Sequence, residues 1–135
     1  MKIKFKKCQK GKFTNRINSK LTNIFEKNKS FFYLKTLDFG RITVNEIKAF
    51  KQILTKKLKK NFSRVVFNFN PNIPVTKKPI EVRMGKGKGS VDSFIMKINS
   101  GVVLCRIESV NFFGVLKALK QAKKRFSLKT KVYFF

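Results

Sequence analysis

The stretch FFYLKTLDFGRITVNEIKAFKQILTKKL, residues 31–58, changes its hydrophobic period partway along. Its opening, Phe31 to Leu37, is an apolar and aromatic run that reads as a strand, and Asp38, Phe39 and Gly40 read as a turn. Thr43 followed three residues later by Glu46 is a capping box, the signature of a helix start. Val44, Ile47, Phe50, Leu54 and Leu58 then recur at helical spacing, with lysines 48, 51, 56, 57, 59 and 60 around them. A strand, a turn and a one-sided helix within one short stretch put the chain among folds that mix both element types.

Outward from there the same signals continue. RVVFNF (64–69) is β-branched and aromatic and reads as a strand, NPNIP (70–74) reads as a turn, and the alternating IEVRM (80–84) reads as a strand leading into a glycine loop. FIMKI (94–98) and VVLCRI (102–107) flank Asn99-Ser100-Gly101, a hairpin signal. A second helix is predicted over about 111–126, with Asn111 as its cap and Phe112, Val115, Leu116, Leu119, Ala122 and Phe126 as its apolar stripe. The chain closes on LKTKVYFF, a strand whose Lys129, Lys131 and Tyr133 form one basic face. The expected class is α+β, with two helices packed on a mixed, largely antiparallel sheet in a single domain over 31–135. Residues 1–30 hold ten basic residues, one acid and weak periodicity, and are expected to be an extended basic arm that orders on binding; a short helix near Leu21 to Phe25 is the alternative.

Charge narrows the function. The 135 residues carry 33 Lys and Arg against 6 Asp and Glu, a formal +27. Self-repulsion of that size works against a compact chain unless a polyanion neutralises it; nucleic acid fits first, an anionic membrane surface second. No histidine is present, which removes the commonest general base and the commonest neutral metal ligand. Cys8 and Cys105, the two cysteines, lie far apart, one in a basic stretch and one in an apolar run, so neither a metal site nor a disulfide framework is indicated, and no cofactor. The first residues lack the apolar core of a secretory signal and match an import sequence poorly, and no stretch is apolar for long enough to span a membrane. Abundant Phe, Lys, Asn and Ile with no Trp suggest an A/T-rich genome such as an organelle's.

EVRMGKGKGS (81–90) is the motif that needs a ligand. Gly85, Gly87 and Gly89 lack the spacing of a nucleotide P-loop, and Ser90 stands where a dinucleotide fingerprint needs its third glycine. Glycines let backbone N–H groups approach phosphates, Lys86 and Lys88 add point charges, and Arg83 can make a bidentate phosphate contact or stack on a base. A flexible loop with solvated lysines is the plain alternative, but basic surfaces elsewhere in the chain favour nucleic acid. Lysine-covered helices without base-reading Arg, Asn and Gln suit the backbone and shape of folded RNA.

TKKPIEVRMGKGKGS (76–90) resembles the signature of the large-subunit ribosomal protein L-sixteen family. QKGKF (9–13) is similar to the family's basic N-terminal motif, GRIT with EIKAF (40–50) to the start of its first helix, and SLKTKV (127–132) to its closing strand, so the resemblance covers nearly the whole chain. It implies a structural, non-enzymatic protein that binds large-subunit rRNA beside the peptidyl transferase centre and helps position A- and P-site tRNA, among neighbouring ribosomal proteins. Carried over by residue, Arg83, Gly85, Lys86, Gly87, Lys88 and Gly89 form the loop facing that centre; Lys10, Gly11 and Lys12 belong to the rRNA-contacting arm; Arg41, Lys51 and Lys56 line the first helix's RNA surface; and Lys129 and Lys131 add the closing strand's basic face. Two places depart from the pattern. Phe50 stands where the family has a basic residue, which implies less RNA contact there or a different partner. Asn111, Phe112 and Phe113 replace the proline and acids that open the second helix; burial of one of the two phenylalanines in the core is expected there, an exposed patch for another protein being the alternative. With the A/T bias and the poor match to an import signal, the resemblance implies a mitochondrially encoded member acting on the matrix ribosome, a plastid one being the alternative. A loosely bound RNA-binding or RNA-modifying factor and a cationic membrane-active protein are the competing functions.

Overall fold

The computed structural model describes residues 6–12, 31–59, 63–82 and 84–134. The rest of the expected arm, the alternative helix near Leu21 to Phe25, and Arg83 lie outside the described residues.

Seven strands and two helices follow in the order β1 (Phe31–Thr36), β2 (Gly40–Thr43), α1 (Val44–Leu58), β3 (Arg64–Phe67), β4 (Ile73–Lys77), β5 (Ser90–Ile98), β6 (Val103–Glu108), α2 (Phe112–Ala122) and β7 (Thr130–Phe134), with a 3-10 turn at Lys123–Arg125 after α2. The α+β class holds. The strands form two sheets rather than one, in the orders β3-β6-β1-β7 and β2-β5-β4, and every pairing is antiparallel.

Both helices bury most of the stripe that the sequence marks; in α2, however, Phe112 is exposed and Leu116 only half-buried, while Ala118, outside the marked stripe, is buried. Thr43 accepts from the Glu46 N–H at 3.3 Å while Glu46 Oε2 accepts from the Thr43 N–H at 2.8 Å, so the capping box satisfies two backbone donors at the start of α1. Glu46 Oε1 also accepts from the Ser127 N–H at 3.2 Å, which ties the approach to β7 onto the same helix end. Asn111 caps α2 by accepting from the Gly114 N–H at 2.9 Å. α1 buries Ile47, Phe50, Leu54 and Leu58; α2 buries Val115, Ala118, Leu119 and Ala122. Between them Phe50 meets Phe126 with ring centroids 4.6 Å apart and takes Phe67 and Phe69 edge-on. Phe50 is fully buried. The residue that departs from the family pattern therefore belongs to the core and presents nothing to RNA.

Three predicted elements need correction. FIMKI and VVLCRI are strands, but they do not pair: β5 joins the three-stranded sheet and β6 the four-stranded one. Thr36 captures the chain between them. Its Oγ1 donates to Asn99 O at 3.0 Å and accepts from the Val102 N–H at 3.1 Å, while its own carbonyl accepts from the Gly101 N–H at 2.8 Å. Gly101 takes φ 81°, a conformation glycine adopts at no steric cost. The segment is thus a junction between sheets. Second, the predicted turn at 70–74 contains the start of β4. Pro74 misled the reading; it pairs opposite Phe94 on a strand at the edge of its sheet, where a missing N–H is tolerated. Third, residues 80–82 and 84 are not in a strand. Pro79 cannot extend the ladder, the Val82 N–H turns back to Pro79 O at 3.3 Å, and the alternating Ile80 and Met84 are almost fully exposed with no core to face. β2, with Gly40 at its start, has only four residues, too few to show alternation in the sequence.

Two outcomes test this account. Thr36 is a buried polar residue with all its hydroxyl bonds made inside the inter-sheet junction. Thr36→Val keeps the shape but leaves the Val102 N–H without its partner, and is expected to cost about 1–3 kcal/mol in urea unfolding; a loss below about 0.5 kcal/mol would show that the clasp does not hold the sheets. Burial pushes the Cys105 thiol from its ordinary 9.0 up to about 12, a hydrogen bond with the Leu34 backbone offsetting only part of this. The folded thiol holds its proton where the unfolded one loses it, so its contribution is full below about pH 9 and is lost as pH rises toward 12. Cys105→Ala is therefore expected to show a shallower fall in stability than the parent between about pH 8 and about pH 10.5. Parallel curves would contradict the burial effect.

Candidate nucleic-acid interface

The three-stranded sheet carries the cluster. Along β2 and β5 the side chains alternate: Ile42 and Ile98 go into the core, while Arg41 and Lys97 face each other as register partners. Residues 6–12 cross this sheet. Arg41 Nη2 donates to Gly11 O at 3.5 Å, and a Cβ placed on Gly11 would come within 2.7 Å of Lys97 Nζ. Gly11 also has φ 64°. The positive φ favours glycine, whereas the Lys97 ammonium tip could swing aside; the glycine backbone lies close over two cations.

Farther along, the same segment meets the glycine loop. Lys7 Nζ donates to Lys88 O, and Lys88 Nζ donates to Cys8 O, each at 2.8 Å. The pair joins segments 80 residues apart in sequence. The loop itself turns through three successive positive φ angles, Gly85 at 106°, Lys86 at 51° and Gly87 at 85°. Glycine accepts such angles freely, whereas Lys86 holds one at a cost of about 1–2 kcal/mol. Lys78 Nζ donates to Gly85 O across the base of the turn. Gly89 has a different constraint: a Cβ there would lie 2.6 Å from Lys77 O, so the loop returns against the backbone of β4.

The expected residues fall into groups. Lys10, Gly11, Lys12, Arg41, Gly85, Lys86, Gly87, Lys88 and Gly89 share one surface built of arm, sheet and loop, and all of them except the half-exposed Gly89 are exposed. Lys51 and Lys56 stand on α1, and Lys51 Nζ sits 5.2 Å from the Phe67 ring centroid and 5.8 Å from that of Phe69, over the four-stranded sheet's side of the core. Lys129 and Lys131 are on or beside β7, with Lys131 Nζ 5.5 Å from the Tyr133 ring. Both groups stand on or beside elements other than the loop. Lys7, Lys78 and Lys97 were missed by sequence reasoning. Lys97 is a single cation inside an apolar strand motif, and only its register opposite Arg41 reveals it; Lys7 and Lys78 were hidden among many lysines.

The surface offers lysine ammonium groups, guanidinium and exposed glycine backbone within one strip, which suits an array of phosphates. Among the described residues no group of three His, Cys, Asp or Glu side chains could hold a metal ion, and no helix is long and apolar enough to cross a membrane.

Residues 1–133 match the family described as Ribosomal protein L16p/L10e. The chain is also similar to the large ribosomal subunit protein uL16 of Rickettsia felis, of Rickettsia typhi and of Rickettsia prowazekii, at 34% identity over 131 residues in each case, covering 97% of this chain and 93% of the relative. With a match of that length, across the arm, the loop and both sheets alike, the chain belongs to the ribosomal protein L16p/L10e family.

Proposed function

We propose that this chain is a structural constituent of the large ribosomal subunit, acting by binding large-subunit rRNA next to the peptidyl transferase centre and helping to position A- and P-site tRNA. It does no chemistry of its own in this reading. The observation that carries it is the reciprocal pair of lysine-to-carbonyl bonds joining Lys7 and Cys8 to Lys88. Those bonds place the arm motif and the glycine loop, the two most basic motifs of the resemblance, on one strip of surface. Lysines and arginines along it neutralise packed phosphates and release their counterions. Lys51 and Lys56 are secondary rRNA contacts on another face. The composition, with 16 Phe and no Trp, suits an A/T-rich organellar genome; the ribosome in this reading is mitochondrial, with a plastid one as the alternative.

Replacing Arg83, Lys86 and Lys88 together by Ala is the direct test. Removing three phosphate contacts is expected to lower the slope of log K against log salt for large-subunit rRNA by about 2–3. Stability should change by less than about 0.5 kcal/mol, because Lys86 and Lys88 are exposed. An unchanged slope, with translation unaffected, would remove the loop from the interface. Sedimentation of organelle lysates in low and high salt supplies the second check. The protein is expected with the large subunit under both conditions in mitochondria; release by modest salt would favour a loosely bound RNA factor.

A further inference from the structure

A second surface, with different chemistry, lies at the far edge of the four-stranded sheet. Phe113 is 82% exposed, Phe134 is 60% exposed and Phe112 is 37% exposed. Their rings form one connected patch, since Phe112 meets Phe113 at 5.6 Å and Phe134 at 5.3 Å, both edge-on. Phe112 also rests on the buried Phe32 at 5.2 Å, so the patch is anchored to the core. Val110, fully exposed, precedes it. A connected aromatic patch of this kind on a chain of charge +27 is unlike scattered surface apolar residues.

Beside it runs an open strand edge. β7 is the last strand of its sheet among the described residues. The Leu37 N–H donates to Lys129 O at 2.9 Å, which fixes the phase of the ladder: residues 129, 131 and 133 turn their backbone groups toward β1. By alternation Thr130, Val132 and Phe134 turn theirs outward, at the two-residue repeat of a strand.

We propose that β7 and the Phe112–Phe113–Phe134 patch form a docking surface for an extended segment of another protein of the ribosome, one that adds a strand to β7, seats apolar side chains on the rings and carries acidic residues beside them. The ladder repeat matches a polypeptide backbone and has no counterpart in a sugar-phosphate chain. The rings offer no hydrogen-bond donor to phosphate or base edges. Acidic flanks follow from the frame: Lys129 and Lys131 lie along the strand, Lys117 follows Phe113 by one helical turn, and α2 has no acid in its first turn to offset its positive end. The same lysines repel a second copy of this chain. The proposal rests on the ribosomal reading for its setting, but on the patch and the edge for its content.

The test uses the full chain assembled into ribosomes, with the photoreactive p-benzoylphenylalanine at position 113. The expected result is a crosslink, within the sedimenting large subunit, to an acid-flanked segment of another protein. Thr130→Pro, which removes an outward N–H at the first residue of an edge strand, and Phe134→Ser should each reduce that crosslink about tenfold or more. The melting temperature and co-sedimentation of both variants should remain those of the parent. Crosslinks to RNA, to residues 13–30 of this chain or to a second copy would overturn the proposal, as would subunits that carry the chain and give no protein crosslink. Failure of the unlabelled parent to sediment with the large subunit would instead overturn the ribosomal reading, and this proposal with it.

Discussion

The fold has to hold together against its own charge. With 33 basic and 6 acidic residues, ion pairing can contribute little, and two of the acids have a clear structural effect. Glu46 closes the capping box and grips the Ser127 N–H, and Glu108 meets Arg106 at 3.2 Å. Arg106 also lies 3.9 Å over the Phe31 ring, so an aromatic face takes up positive charge that a carboxylate would normally meet. Cohesion falls to the apolar interior, above all to the Phe50, Phe67, Phe69 and Phe126 cluster between helices and sheet. Phenylalanine suits this, because each ring buries a large area without needing a hydrogen-bond partner. Repulsion then sorts the remaining cations onto the surface, where only an external polyanion can compensate them.

The glycine loop is shaped by backbone angles and by lysine-to-carbonyl bonds instead of by burial. Three positive φ angles in a row make a turn that ordinary residues resist, and Lys78, Lys7 and Lys88 fasten it through carbonyl oxygens. A lysine ammonium has three hydrogens, so one spent on a carbonyl leaves two for phosphate oxygens. The contacts that hold the loop in place therefore do not consume its capacity to bind. Gly89 does a separate job, allowing the returning strand to pass against Lys77 O, and its need for a missing side chain is steric.

Much of this was legible in the sequence. The capping box at Thr43, the stripe through Phe50 and Leu54, the Asn111 cap and the basic glycine loop all depend on neighbours within one or two turns, and local spacing encodes them. What failed was non-local. Pro74 reads as a turn residue until its strand is known to be an edge, and Asn99-Ser100-Gly101 reads as a hairpin until Thr36, more than 60 residues away, is known to clasp it. Apolar alternation in 80–84 signalled a strand because pattern alone cannot tell a side chain that faces a core from one that projects from a loop. Lys97 was invisible as a site residue for the same reason: its role comes from the rung it shares with Arg41.

That rung also shows how core and interface specify one another. Ile42 and Ile98 enter the core from β2 and β5, and the alternation of the pleat then obliges Arg41 and Lys97 to stand on the opposite face, under Gly11. A slip of β2 by one residue would turn Arg41 inward and Ile42 outward, burying an unpaired cation and exposing a core residue together. Both errors are costly, so the register of this short sheet is fixed although β2 has only four residues. Burial of two isoleucines thus sets where the arm crosses the sheet, and the crossing brings Lys7 and Cys8 to the loop. The position of the cationic strip is in this sense a consequence of core packing, even though every one of its lysines is on the surface or only half-buried.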